Sequence, residues 1–188
     1  MTLPSPWIPG LFFALSETVI GRVRRATKAN YTLKDQNSLR LLGIVIWSSI
    51  ALAVLAAYFL PAARVSYYPR YYLAGLCLFV PGIALRWYSI WILGHFFTVN
   101  VAIASDHRLI ETGPYRYLRH PSYTGALLVF VGLGLSMGNF VSVALMVIPV
   151  FLVFRRRMAV EEQALVGAFG DTYRAYMQRT KRLVPFVY

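Results

Sequence analysis

The stretch LLGIVIWSSIALAVLAAYFL, residues 41–60, holds no charged side chain over twenty positions and ends against Pro61. At about 1.5 Å of rise per residue, a helix of this length crosses the roughly 30 Å hydrocarbon core of a bilayer. Four more apolar runs surround it. Trp7–Ile20 is short and carries Glu17, and Tyr71–Leu93 is long but contains Pro81, Gly82 and Arg86. Tyr123–Met137 and Phe140–Phe154 are separated by Gly138-Asn139, a pair that favours a tight turn, so they read as a helical hairpin. Its second arm can run on through Arg155.

The composition agrees. The chain is 58% hydrophobic and 14% charged, with a mean hydropathy of +0.56. Soluble domains average roughly 45–50% apolar and about 25% charged, so the surplus here calls for a lipid solvent. The expected class is therefore all-α: a polytopic integral membrane protein of about five transmembrane helices. The 188 residues form a single domain by length, with N-terminal helices in 1–93 and the chemistry-bearing half in 94–188. The lone cysteine, Cys77, cannot form an intramolecular disulfide and reads as packing. No basic region precedes the first run and Arg22, Arg24 and Arg25 follow it, so that run is expected to persist as a helix rather than a cleaved signal.

The net charge of +12 raises nucleic acid as a partner, but its distribution favours anionic lipid. Of the 19 Lys and Arg, 16 fall in the segments 21–40, 94–122 and 155–188, whereas Arg64 and Arg70 alone lie on the opposite side. Basic residues crowd the cytoplasmic side of membrane proteins, which places the N-terminus outside, the C-terminus in the cytoplasm and the protein in an inner or plasma membrane. The segment Ala159–Arg182, with charged and aromatic residues at helical spacing, is expected to be a cytoplasmic helix.

Three groups of residues invite chemistry. The segment Gly94–Tyr123 holds all three histidines, His95, His107 and His120, and is long for a loop without a function. Its end, Gly113-Pro114-Tyr115-Arg116-Tyr117-Leu118-Arg119-His120-Pro121-Ser122-Tyr123, builds a turn and then a proline-started helix. This is either a well-made helix start or one that offers free N–H groups and a positive dipole end to an anion. Downstream, Arg157 and Glu161 share a helix face at i and i+4. They form either a basic cluster with a surface ion pair, or a site in which Glu161 holds a cationic or ribose-bearing ligand and Arg157 an anionic one. Arg86 and Glu17, inside apolar runs, each need a partner or a cavity. Arg86 lies near the long loop, while Glu17 is close enough to its helix end to be solvated.

The pattern Gly113-x-Tyr115-x-x-x-Arg119-His120-Pro121-Ser122-Tyr123-x-Gly125, then an apolar hairpin, Arg157-x-x-x-Glu161-Glu162, Phe169-Gly170-x-x-Tyr173-x-x-Tyr176 and Arg182-x-x-Pro185, resembles the isoprenylcysteine carboxyl methyltransferase family. Related phospholipid methyltransferases share the scheme. The resemblance spans Leu85 to Pro185. It implies a helical membrane enzyme whose cytoplasmic half encloses S-adenosylmethionine and releases S-adenosylhomocysteine, with a lipophilic or lipidated acceptor and no metal. Carried over, it sets the cofactor against Asn100, His107, Arg108, Leu109, Ile110, Tyr115, His120, Pro121, Ser122, Tyr123 and Glu161. Arg157, Glu161 and His120 become the catalytic set, with Arg157 holding the acceptor. A carboxylate acceptor needs no general base, whereas an amine or thiol would, and His120 or Glu162 are then the candidates. A membrane NADPH-dependent sterol-type reductase and a non-enzymatic membrane module are the competing readings.

Overall fold

The computed structural model describes residues 5, 7–23, 31–35, 37–66, 68–99, 101–104 and 106–184, with the backbone alone for 31–35, 37, 101, 102 and 104. In chain order the elements are α1 (Trp7–Val23), β1 (Tyr31–Asp35), α2 (Asn37–Phe59), α3 (Tyr68–Leu93), β2 (Val101–Ala104), α4 (Pro121–Ser136), α5 (Phe140–Phe169) and α6 (Asp171–Arg179). Short 3-10 turns at Pro61–Ala63, Gly94–Phe96 and Gly113–Arg116 join them. The protein is helical, as expected, with one addition. β1 and β2 form an antiparallel ribbon, with Tyr31 opposite Ala104 and Leu33 opposite Ala102, which ties the segment before α2 to the one after α3.

Two helical stretches, Ser38–Phe59 and Tyr68–Phe96, are each long and apolar enough to cross a bilayer, and Pro121–Ser136 is a shorter apolar helix. Large apolar side chains stand exposed along α1, α2, α3 and α5, among them Leu11, Leu15, Trp47, Leu55, Leu73, Val80, Ile148 and Leu152. A water-facing surface rarely carries so much contiguous apolar area; these faces suit lipid. Cys77 belongs to them: it is exposed, not packed inside as its apolar surroundings suggested, because a thiol at a lipid-facing position costs little.

The central helix is α4, which packs α3 on one side and α5 on the other. Lipid is as apolar as leucine, so close backbone packing rather than water exclusion must hold such helices together. Gly82 faces Gly125 and Gly75 faces Gly132 across α3 and α4, at a seven-residue spacing on both helices. A Cβ added at Gly125 would lie 2.6 Å from the Gly82 carbonyl oxygen, and one at Gly132 would lie 2.5 Å from that of Gly75. The core beside this seam is Phe79, Ala126, Val129, Phe130, Leu133, Met146, Val150, Phe154 and Met158, joined by Phe13 of α1, whose ring meets Phe130 edge-on at 5.6 Å.

The Gly138-Asn139 turn closes the hairpin as its composition predicts, with Gly138 at φ +64°. The buried Asn139 side chain accepts from the Ser142 N–H at 3.1 Å, capping α5, and donates to the Leu60 carbonyl at 2.9 Å. Ser142 Oγ donates to the Ala53 carbonyl at 2.7 Å, so this end of the bundle is tied to α2. At the other end α5 does run on past Arg155, to Phe169. Gly170, at φ +56°, ends it and starts α6, so the single tail helix expected from Ala159 is in fact two elements.

Candidate functional site

The first turn of α4 and the middle of α5 bring together four of the sequence-predicted residues: His120, Tyr123, Arg157 and Glu161. Tyr123 donates its hydroxyl to Glu161 Oε1 at 2.6 Å and accepts from Arg157 Nε at 2.8 Å. Arg157 Nε also lies 3.2 Å from Glu161 Oε1. Arg157 Nη1 donates to Ser38 Oγ at 3.0 Å, and Nη2 donates to the Val99 carbonyl. Arg157 is thus no snorkelling surface cation: its side chain is 2% exposed, held between α2, the segment before β2, α4 and α5. Glu161 is the more open carboxylate at 21%, and its Oε2 sits 3.6 Å from His120 Nδ1, beyond hydrogen-bond reach.

Glu162 serves a different purpose. It is 5% exposed and bonds Arg119 Nε at 2.8 Å, Arg182 Nη2 at 2.6 Å and His120 Nε2 at 3.2 Å. Burial alone would raise its pKa from 4.5, but the hydrogen bonds from His120, Arg182 and Arg119 outweigh this and hold it at about 2. Such a group takes no proton at neutral pH, which removes Glu162 as the base that an amine or thiol acceptor would require. It acts instead on His120. An ionised carboxylate only accepts, so His120 Nε2 carries the hydrogen and Nδ1 is turned toward Glu161.

The same carboxylate clasps the chain following α6. Arg119 N donates to the Lys181 carbonyl at 2.7 Å, His120 N to that of Arg182 at 3.1 Å, and Thr124 Oγ1 to that of Leu183 at 2.7 Å. Arg119 and Arg182 stood in the sequence pattern only as motif letters; their convergence on Glu162 is the part of the site that sequence reasoning missed. Because the folded pKa of Glu162 lies below its unfolded value, its stabilising contribution is complete above about pH 4.5 and disappears as pH falls toward 2. On the order of 3 kcal/mol is at stake from a shift of this size. Acid unfolding followed by tryptophan fluorescence should therefore be steeper across that window in the wild type than in Glu162→Gln; parallel curves would refute the clasp.

The other predicted residues are spread around this core. Pro121 and Ser122 are buried in the first turn of α4, and Ser122 Oγ accepts from Arg86 Nη1 at 2.9 Å. The N–H groups of Tyr123 and Thr124 both donate to the His120 carbonyl, so the anion-binding capacity of this helix end rests on Ser122 N–H. Tyr115 is buried; its hydroxyl donates to the Ser89 carbonyl at 3.4 Å, and its own carbonyl accepts from Tyr176 at 2.7 Å. His107 stacks on Phe96 at 4.8 Å and meets Phe169 edge-on at 5.6 Å, forming an aromatic cluster at the far end of α5. Burial pushes its imidazole below the ordinary value. Arg108 is exposed, and Leu109 and Ile110 are half-buried in an irregular run. Asn100 and Pro185 lie outside the described residues.

Glu17 is corrected by the structure. Rather than standing alone near its helix end, Glu17, whose side chain is 32% exposed, grips Arg86 with both oxygens, Oε1 to Nε at 2.5 Å and Oε2 to Nη2 at 2.6 Å. Nothing local could reveal this pairing across 69 positions; the signal available was that each run contained one charge, of opposite sign.

Comparison with known proteins gives this arrangement its context. The sequence model of the isoprenylcysteine carboxyl methyltransferase (ICMT) family matches residues 74–167, half of the chain. Protein-S-isoprenylcysteine O-methyltransferase B of Arabidopsis thaliana is 29% identical over 185 residues, which cover 94% of this chain and 89% of that protein. The Schizosaccharomyces pombe protein-S-isoprenylcysteine O-methyltransferase is 38% identical over 82 residues, 44% of this chain and 35% of its own length. A solved structure of the eukaryotic intramembrane Ras methyltransferase ICMT superposes with a TM-score of 0.63 at 29% identity, covering 77% of this chain and 52% of that one. The chain thus spans about a third of the fission yeast relative, about half of the solved structure and most of the plant enzyme. With the matched segment running from α3 into α5 and enclosing His120, Tyr123, Arg157 and Glu161, the chain belongs to the isoprenylcysteine carboxyl methyltransferase family.

Proposed function

We propose that this protein transfers a methyl group from S-adenosylmethionine to the carboxylate of a lipophilic, prenylcysteine-like acceptor. The observation that carries the proposal is the joining of Tyr123, Arg157 and Glu161 by hydrogen bonds beside His120, within the family-matched segment. Residues 94–188 form the catalytic half. Five helices span the membrane, with the N-terminus outside and this end of α4 and α5 at the cytoplasmic face, the arrangement that the basic-residue asymmetry supports.

The residues fit the cofactor. Glu161 Oε2 has no hydrogen bond to His120 and belongs to the more open of the two glutamates, so it suits a ribose hydroxyl or an ammonium. Ser122 N–H suits a carboxylate, and the Phe96–His107–Phe169 cluster suits a purine ring. Phe169 follows Glu161 by eight positions on α5, or about 12 Å along the axis, a separation within the span of an extended nucleoside amino acid. When bound, the cofactor supplies an electrophilic methyl on a sulfonium.

The chain's own contribution is to hold, orient and keep dry. A carboxylate acceptor is already the nucleophile, so positioning and water exclusion supply the rate. Arg157 orients it: the Ser38 hydroxyl and the Val99 carbonyl are neutral partners, and an anionic acceptor competes with them for the guanidinium with stronger, charge-assisted hydrogen bonds.

The test is calorimetry of S-adenosylmethionine and S-adenosylhomocysteine on the detergent-purified protein, beside Glu161→Ala and His120→Ala. Saturable wild-type binding, weakened about tenfold or more by either substitution, is expected; loss of one charge-assisted contact is worth at least that. Methylation of a prenylated cysteine, but not of its carboxamide, would then fix the acceptor group. A folded wild type that binds neither ligand would overturn the proposal.

A further inference from the structure

Glu17 lies on α1, outside the residues matched by the family, yet it chelates a side chain within them. Arg86 is 11% exposed on α3 and has its Nε and Nη2 occupied by Glu17. Its remaining terminal nitrogen, Nη1, reaches α4, where it donates to Ser122 Oγ at 2.9 Å and to the Ser122 carbonyl at 3.3 Å. Ser122 is the residue before Tyr123, whose hydroxyl bonds Glu161 and Arg157. A side-on carboxylate fixes a guanidinium in both position and plane, as a single point contact cannot. One carboxylate on α1 therefore sets the direction in which Arg86 points at the first turn of α4.

An ionised pair within apolar helices is a costly way to join them. Apolar residues of similar volume often hold such a position as well or better. The α1 contact does not need the pair for adhesion, since Phe13 already packs on Phe130 and Phe12 on Trp87, with ring centroids 5.6 and 5.9 Å apart. What the pair adds is orientation at Ser122.

We propose that Glu17 is a positioning residue for methyl transfer, acting through Arg86 on Ser122 and Tyr123, so that α1 is a working part of the site and not only a membrane anchor. The proposal rests on the methyl-transfer reading above. In the test, Glu17→Gln, Glu17→Asp and Arg86→Met are compared with Glu17→Gln/Arg86→Met in the full chain. Cofactor affinity is measured by calorimetry, turnover per cofactor-binding site with a prenylated cysteine, and stability by thermal unfolding.

Glu17→Gln is expected to cut turnover by about a hundredfold, the usual cost of a displacement near 1 Å at a reacting centre. It should add nothing once Arg86 is methionine, because residues acting through one another are not additive. Glu17→Asp keeps the charge but draws the guanidinium back by one methylene; it should unfold near the wild-type temperature and still lose turnover. Wild-type turnover in folded Glu17→Gln, or an undiminished Glu17 effect without Arg86, overturns the proposal. If Glu17→Gln does not fold, Glu17→Asp decides, and wild-type turnover there overturns it too. A wild type that binds no cofactor sinks the methyl-transfer reading itself, whereas a binding wild type with indifferent Glu17 variants sinks the positioning role alone.

Discussion

Arg157→Ala is expected to abolish methyl transfer, by at least about a thousandfold, and to destabilise the protein by about 3–5 kcal/mol, the usual cost of stranding one member of a buried ion pair. Among the described residues the guanidinium serves at least four partners at once: the Tyr123 hydroxyl, Glu161, Ser38 and the Val99 carbonyl. Its removal leaves Glu161 without its neighbouring cation and two polar groups of other elements without their donor. Arg157→Lys separates the two roles. A lysine keeps the charge beside Glu161, so most stability should remain. Its single ammonium cannot reach four directions in one plane, so Tyr123 and Glu161 lose their mutual register. Turnover should then fall about a hundredfold with much smaller loss of stability. Thermal unfolding and single-turnover methylation on the two variants check both statements. Near-normal turnover in Arg157→Lys would mean that charge alone matters at this position.

The second large effect is structural. Gly125→Val should prevent recovery of folded protein, and Gly125→Ala should cost about 3 kcal/mol, the upper part of the range for overpacking. The added Cβ would meet the Gly82 carbonyl oxygen at 2.6 Å and the Arg86 N at 2.7 Å, both backbone atoms that no rotamer change can move. Only separation of α3 from α4 relieves the contact, and that carries Ser122 away from Arg86. Gly43→Ala is the control. It lies within α2 with nothing within 4 Å of the new methyl, so it should be neutral or gain up to about 1 kcal/mol from helix propensity. Equal unfolding temperatures for Gly125→Ala and the wild type would remove the glycine seam as the basis of the α3–α4 contact.

Much of this architecture was legible because membrane helices write themselves locally. An uncharged run such as 41–60 has one stable solution in lipid, and Gly138-Asn139 marks the turn between α4 and α5 through backbone chemistry alone. The spacing of Arg157 and Glu161 was readable for the same reason, being one turn of a helix. Their setting was not. Whether Arg157 faces lipid, water or the inside depends on Ser38, 119 positions away, and on Val99, 58 away. Glu17 was misjudged because proximity to a helix end says nothing about which helix passes beside it. The β1–β2 ribbon is barely written in the sequence: Tyr31-Thr32-Leu33-Lys34 alternates apolar and polar over only four positions, and Val101–Ala104 is a four-residue apolar run, both at the shortest length at which the pattern signals a strand.

The bond between Glu17 and Arg86 bears also on how the chain enters the bilayer. Arg86 lies in the last third of an apolar helix, so it adds only a fraction of the roughly 2.5–3.5 kcal/mol that an arginine costs at a helix centre, and the segment Tyr68–Leu93 carries that handicap when taken alone. Synthesis proceeds from the N-terminus, so α1 has emerged, with its carboxylate, before Arg86 leaves the ribosome. The counter-charge is in place before it is needed. Helices α1 and α3 then settle as a pair around an already neutralised arginine, and the order of elements along the gene becomes part of the assembly pathway.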